Sequence, residues 1–372
     1  MMRKLFVLMS LVLMTTGCEK DNEAWQAPAK DAEAICFSVE VGTTRAANAM
    51  EAHDDLAASG GFGVFGCYTG PYRFMDSDVQ SDFMYNQHVI WDGVNGVWTY
   101  DPVKYWPNGE GQASSGQGAV PHYVSFFAYA PYSNQNPDNA AGYCIPTFNL
   151  QQEHTNPWLT YRLHPDPAQQ VDLMYAVPLI DRTKAQPTTR MTFTFRHALA
   201  CVGDQVTVGV SEALKTTLRN EVTGHDNITR IEVLLKSVMV SYHLTERARL
   251  VLWTGGEANW QVLKSGEALT TREVALKETS DLAPVTIYSY DKSSGAGGSD
   301  WTDSGHGVFY IPLHRNEEWQ TAEVNIAYDV VTTYGVGMVR EEKTSTTTLT
   351  LSDFPDAYQA GRNLNLVMKM NR

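Results

Sequence analysis

The sequence predicts an all-β protein of two antiparallel β-sandwich domains with few short helices. Three observations carry that expectation. Short runs that alternate apolar and polar residues recur along most of the chain, separated by Gly, Pro, Asn and Asp turn signals. Aromatic residues make up 11 % and charged residues only 19 % of the 372 positions, a balance that favours half-buried pleated surface. Only Ser211 to Leu218 has convincing helical character. The length suits two cores better than one.

Residues 1–17 have the order of a secretory signal peptide. Met1-Met2-Arg3-Lys4 is basic, Leu5 to Met14 is an apolar run too short to span a bilayer, and Thr15-Thr16-Gly17 is small. Cys18 follows at the position where bacterial lipoproteins are acylated, although Thr15 stands where Leu is usual. The acidic stretch Glu19-Lys20-Asp21-Asn22-Glu23 is similar to the tag that carries some Gram-negative lipoproteins to the cell surface. The plainer alternative is a secretory leader in which Cys18 is incidental. Residues 18–34 are polar, Ala-rich and aperiodic, which predicts a tether.

The first domain is expected over 35–186. Ile35, Phe37, Val39 and Val41 fall on one face of a strand, and Cys36, Ser38 and Glu40 on the other. Gly42 to Ala47 is small and exposed in character, and residues 46–60 suit a loop or short helix. Strands follow at Phe62–Tyr68, His88–Trp91, Gly96–Tyr100 and Tyr123–Ala130. Asp92-Gly93 and Asn95-Gly96 are turn formers that join Trp91 to Trp98 in a hairpin. Residues 107–119 and 134–142 are expected loops. Residues 181–189 are the best linker, so the second domain is expected over 187–372. Its strand-like runs include 191–195, 206–210, 228–240, 285–290, 308–312, 322–331, 346–351 and Leu364–Met370.

Several function classes are disfavoured by the same residues. With 28 basic against 42 acidic residues and no basic cluster to neutralise a run of phosphates, nucleic acid is not an expected partner. Gly61-Phe62-Gly63-Val64-Phe65-Gly66 spells GxGxxG, but the glycines sit inside a strand pattern with no helix after them, so a dinucleotide site is not expected. The ten histidines do not cluster, and His197 suits a hydrogen-bonded strand end. No G-x-S-x-G elbow occurs. Cys36, Cys67, Cys144 and Cys201 are widely and irregularly spaced without CxxC, which suits buried thiols, leaves room for one disulfide, and argues against zinc. No catalysis, cofactor or metal is expected. Trp91, Trp98, Tyr100, Tyr105 and Trp106 form an aromatic group that suits either a sugar-stacking platform or a core.

Taken in order, the leader ending at Cys18 and the runs Phe62 to Gly66, Phe83 to Gln87, Trp98 to Pro107, Val124 to Tyr132, Asp172 to Ala176, Phe195 to Leu199 and Gly361 to Leu364 form a series. That series resembles the fimbrillin family, the subunits of lipoprotein-derived (type V) pili of anaerobic Gram-negative bacteria. The resemblance implies two Greek-key, transthyretin-like sandwiches, export as a lipoprotein to the outer-membrane surface, and assembly into a fimbrium. It also implies loss of an N-terminal strand to an Arg-specific protease, with Arg45 and Ala46 matching that position. The expected partners are other fimbrial subunits, the processing protease, outer-membrane lipid through Cys18, and a host or bacterial surface receptor.

A cut there has a physical consequence. Strand 35–41 buries up to four apolar side chains, roughly 6–12 kcal/mol as an upper bound. Its removal leaves an apolar groove beside unpaired backbone, which another strand fills by β-addition. Leu364, Leu366, Met368 and Met370 alternate in the same way and form a candidate donor; a head-to-tail donor grows a filament. The chain stops soon after that strand, so a stalk, tip or anchor role stays open. The rival reading is a monomeric surface lipoprotein that binds glycans, which requires Trp91, Trp98 and Trp106 in an exposed row.

Overall fold

The computed structural model describes residues 33–41, 53–77, 83–107, 121–134, 158–164, 166–184, 190–252, 257–262, 269–277, 284–313, 320–354 and 357–371. The chain opens with β1 (Cys36–Val41), α1 (His53–Ala58), β2 (Phe62–Gly70), β3 (Met84–Asp92), β4 (Val97–Thr99) and β5 (Tyr123–Ala130). It continues through β6 (Trp158–Arg162), β7 (Met174–Ala176), β8 (Leu179–Arg182), β9 (Arg190–His197), β10 (Ala200–Val210) and α2 (Glu212–Gly224). Next come β11 (Ile228–Thr245), β12 (Arg247–Val251), β13 (Asn259–Val262), β14 (Leu269–Lys277) and β15 (Val285–Asp291). The last are β16 (Gly295–Gly297), β17 (Trp301–Ser304), β18 (Val308–Tyr310), β19 (Thr321–Tyr334), β20 (Gly337–Thr350) and β21 (Asn363–Met370). The all-β expectation holds.

The first sheet runs β1–β9–β7–β5–β2–β3–β4, with β8 beside β5. Its central strands carry apolar side chains on both faces. From β2 and β5, Phe62, Val64, Val124, Phe126 and Ala128 point into one core, while Phe65, Cys67, Phe127 and Tyr129 point into a second. That is why Tyr123–Ala130 is an almost unbroken apolar run where a one-sided strand would alternate. Trp91 pairs with Trp98 across the predicted β3–β4 hairpin. The segment expected to link two domains precedes β9, yet β9 lies in this first sheet between β1 and β7.

The second core is larger. The 18-residue β11 pairs along its length with β19 on one side, and with β15 and then β14 on the other. β10 holds β17 and β18 on one side and β21 on the other. β12 lies between β13 and β6, so β6 joins strands from much later in the chain. Helix α2 runs on to Gly224, past the predicted end at Leu218. Ser211 caps it by accepting from the Leu214 amide, and Leu214, Leu218 and Val222 recur every fourth residue to seat its buried face.

Among the described residues pairing is antiparallel except for β1 on β9 and β21 on β10, which are parallel. Both involve strands far apart in sequence, so the long crossover that parallel neighbours require is available. The GxGxxG run belongs to the packing. Gly61 has φ +84°, and a Cβ there would stand 2.0 Å from the Val89 carbonyl oxygen; one at Gly63 would meet the Tyr129 ring at 2.3 Å. We expect Gly61→Ala to lower the unfolding free energy by about 1–3 kcal/mol, read from urea denaturation. An unchanged midpoint would mean that β2 and β3 separate easily at this point.

Candidate functional site

The site built around β1 is a slot whose two walls are the two ends of one sheet. Along β1, Cys36 to Val41 pair in parallel with Arg190 to Phe195 of β9. Just before β1, the other wall takes over. The Ile35 amide donates to the Lys104 carbonyl at 2.9 Å, the Trp106 amide donates to the Glu33 carbonyl at 3.0 Å, and Ala34 forms an antiparallel bridge with Tyr105. Residues 104–106 follow β4, the far end of the sheet from β9. Residues 33–41 therefore close the seam between the sheet's ends.

The floor of the slot is aromatic. Phe37 is 3 % exposed, and its ring centroid lies 5.4 Å from Phe193 in a stacked pair. It lies 5.6 Å from Tyr100, 5.7 Å from Phe126 edge-on and 6.5 Å from Phe62. The Tyr100 hydroxyl donates to the Ile35 carbonyl at 2.8 Å, and the Lys104 amide donates to that hydroxyl at 3.3 Å. Burial pushes the Tyr100 phenol above its ordinary range, so it acts as a fixed donor. On the outer face, Ser38 and Thr192 hydroxyls lie 2.7 Å apart and Thr194 donates to Glu40 at 3.4 Å.

Of the four inward residues expected on this strand, Ile35 and Phe37 are buried, while Val39 and Val41 are half-buried against the same core. Past Ile35 only β9 hydrogen-bonds to β1 among the described residues. The apolar contribution of the two buried side chains is roughly 3–6 kcal/mol, to which the valines add a fraction. Leu364, Leu366, Met368 and Met370 are all buried in the second core, in β21 along β10. The two strands thus sit in different cores. Cys18, Arg45, Ala46 and Cys144 lie outside the described residues.

Tyr100, expected only as one of an aromatic group, holds the main chain at Ile35 through its hydroxyl. Trp98, Tyr100 and Trp106 are buried in the first core, Trp91 packs partly buried on Trp98, and Tyr105 is exposed. The exposed coplanar row that a glycan platform requires is therefore not formed by Trp98 and Trp106. The His53 ring, at the start of α1, stands edge-on to both Trp91 and Trp98.

Elsewhere, His197 Nδ1 lies 2.7 Å from Asp172 Oδ2 with both side chains buried, a fastening between the end of β9 and the approach to β7. Burial, with Asp204 and Asp172 nearby, pushes the Cys201 thiol up to about 12, the opposite of what a nucleophile needs. Among the described residues no His, Cys, Asp and Glu group could hold a metal ion. Among them, too, no helix is long and apolar enough to cross a membrane.

The sequence profile of a family described as fimbrillin-like matches residues 44–233, just over half of the chain. Among solved structures, the chain is similar to a fimbrial protein from Bacteroides vulgatus ATCC 8482, with 18 % identity and a TM-score of 0.60 over 91 % of this chain and 96 % of that one. That likeness speaks for the fold alone. It is also similar to the fimbrial anchor protein Mfa2 from Porphyromonas gingivalis, with 10 % identity and a TM-score of 0.31 over 90 % of each chain. No curated protein matches.

Two outcomes are expected from this geometry. Phe37→Ala should cost about 3–5 kcal/mol in chemical denaturation, while Cys36→Ala, on the exposed face, should stay within about 0.5 kcal/mol. Equal effects would show that β1 is not seated through Phe37. The Cys201 thiol keeps its proton in the fold to about pH 12 but loses it near its ordinary value when unfolded, so stability is intact below that value and falls as pH rises toward 12. Cys201→Ala should shrink the alkaline slope by up to about 1.4 kcal/mol per pH unit, measured as unfolding free energy between roughly pH 9 and 11.

Proposed function

This chain belongs to the fimbrillin-like family, and from that premise we propose that it is a structural subunit of a cell-surface fimbrium, assembled by strand exchange after a proteolytic cut and contributing to adhesion. The observation that carries this reading is the slot: a short edge strand closes the first core, and the chain then enters the segment 42–52, which contains Arg45. A cut after Arg45 would leave β1 held only by its side chains and ladder. Its departure would expose an apolar floor and two unpaired backbone walls, the combination that recruits another strand.

Export supports the same reading. The leader and Cys18 suit an acylated precursor anchored in the outer membrane, which meets its processing protease and sister subunits at the cell surface. Neither a catalytic step nor a cofactor is required, because each stage exchanges one strand for another. Of the two ends, β1 is the better leaving strand: it lies at an edge, where among the described residues β9 alone pairs with its second half. β21 is seated in the second core by four buried side chains, which favours a subunit that receives a strand over one that lends this strand. We also draw the boundary between the two units after His197, keeping β9 with the sheet it completes.

The test is limited digestion of the purified precursor with an Arg-specific protease, followed by sizing and terminal sequencing. A new terminus at Ala46 with growth of higher oligomers is expected, and Arg45→Ala should abolish both. A cut product that stays monomeric, with Arg45→Ala cells still fully fimbriated, would end this assignment.

A further inference from the structure

Resting on the strand-exchange reading, we infer that the slot selects its occupant by side chain. It admits an extended segment of another chain that runs parallel to β9 and carries an aromatic residue two positions after a buried aliphatic one. The chemistry of that segment is legible in what β1 now fills. Its polarity is set by both walls at once: residues 33–35 run antiparallel to 104–106, and residues 36–41 run parallel to β9. A segment entering the other way would have to change the ladder type on each wall.

Composition is set by the floor. The Phe37 ring stands within 6.5 Å, centroid to centroid, of Phe62, Tyr100, Phe126 and Phe193, in edge-on, tilted and stacked arrangements. Such a box favours a flat side chain whose edge and face meet complementary regions of the neighbouring rings. A smaller side chain would leave a void, because the box is braced from behind: Phe62 also packs on Trp98 and Phe195, and Phe126 on Trp106. By contrast, the Tyr100 hydroxyl meets only the carbonyl of Ile35 on this strand, so it grips the main chain of any occupant whatever its sequence. Half-burial at Val39 and Val41 leaves the later positions permissive.

This criterion separates candidate donors. The inward residues of β21 are Leu364, Leu366, Met368 and Met370, with no aromatic among them, and they are engaged in the second core. A copy of this chain's β21 is therefore a poor match to the slot. The fitting partner is a different segment with the pattern aliphatic, any, aromatic, followed by positions the slot leaves permissive.

The experiment uses the full chain carrying an engineered protease site within residues 42–52, cut so that the β1 segment can be chased. The probes are labelled peptides of residues 33–41, in native form and with Cys36→Ser, Phe37→Leu, Phe37→Ala or reversed sequence, and uptake is read by anisotropy. Native and Cys36→Ser peptides should bind alike, Phe37→Leu about tenfold weaker, and Phe37→Ala at least about a hundredfold weaker. The reversed peptide should not be retained. Phe37→Ala binding within about threefold of native would overturn the selection while leaving strand exchange standing. Failure of the native peptide to bind would overturn both.

Discussion

A sheet with apolar side chains on both faces constrains everything attached to it. The β2–β5 centre of the first sheet contributes to one core with Phe62, Phe126 and Ala128, and to another with Phe65, Phe127 and Tyr129. Neither face can be left to water, so the chain supplies covers from distant positions. β6 joins β12 and β13, and Leu159, Tyr161, Leu250 and Trp260 lie in the second core. On the other face, the approach of the sheet's two ends is completed by residues 33–41. The slot and its aromatic floor follow from that geometry.

The same constraint makes β1 both important and separable. Whole domains are stable by only about 5–15 kcal/mol, so a strand that buries two large side chains and half-buries two more contributes a sizeable share. Yet it sits at an edge, its later half hydrogen-bonded among the described residues to β9 alone, and it is joined to the rest through residues 42–52. Losing a central strand such as β5 would dismantle both cores. Losing β1 would open one seam. The fold is thus far less tolerant of loss at its centre than at its margin.

Much of this was legible in the residues. The alternation of Ile35 to Val41 marked the strand, the turn residues Asp92-Gly93 and Asn95-Gly96 marked the Trp91–Trp98 hairpin, and the apolar run of β5 marked another strand. What escaped had physical causes. Parallel and antiparallel strands share the same two-residue period, so the direction of β1 and β21 left no local trace. In β20, Arg340-Glu341-Glu342-Lys343 places charge on both faces, because an edge strand held by β19 needs its backbone more than its side chains. The depth of Val39 and Val41, and the grip of Tyr100 on the Ile35 carbonyl, depend on residues far apart in the chain meeting at a seam. No window of sequence contains that encounter.

The parallel registry of β1 and β9 also has a mechanical side. Because Cys36 lies opposite Arg190 and Val41 opposite Phe195, the start of one strand and the finish of the other stand at opposite ends of the ladder. Tension drawn between the leader side of β1 and the chain leaving His197 would slide the two strands past each other, and every rung would resist together. An antiparallel neighbour pulled from the same termini would open rung by rung, like a zipper. A strand seated in this direction resists being drawn along its own length more than being peeled away sideways.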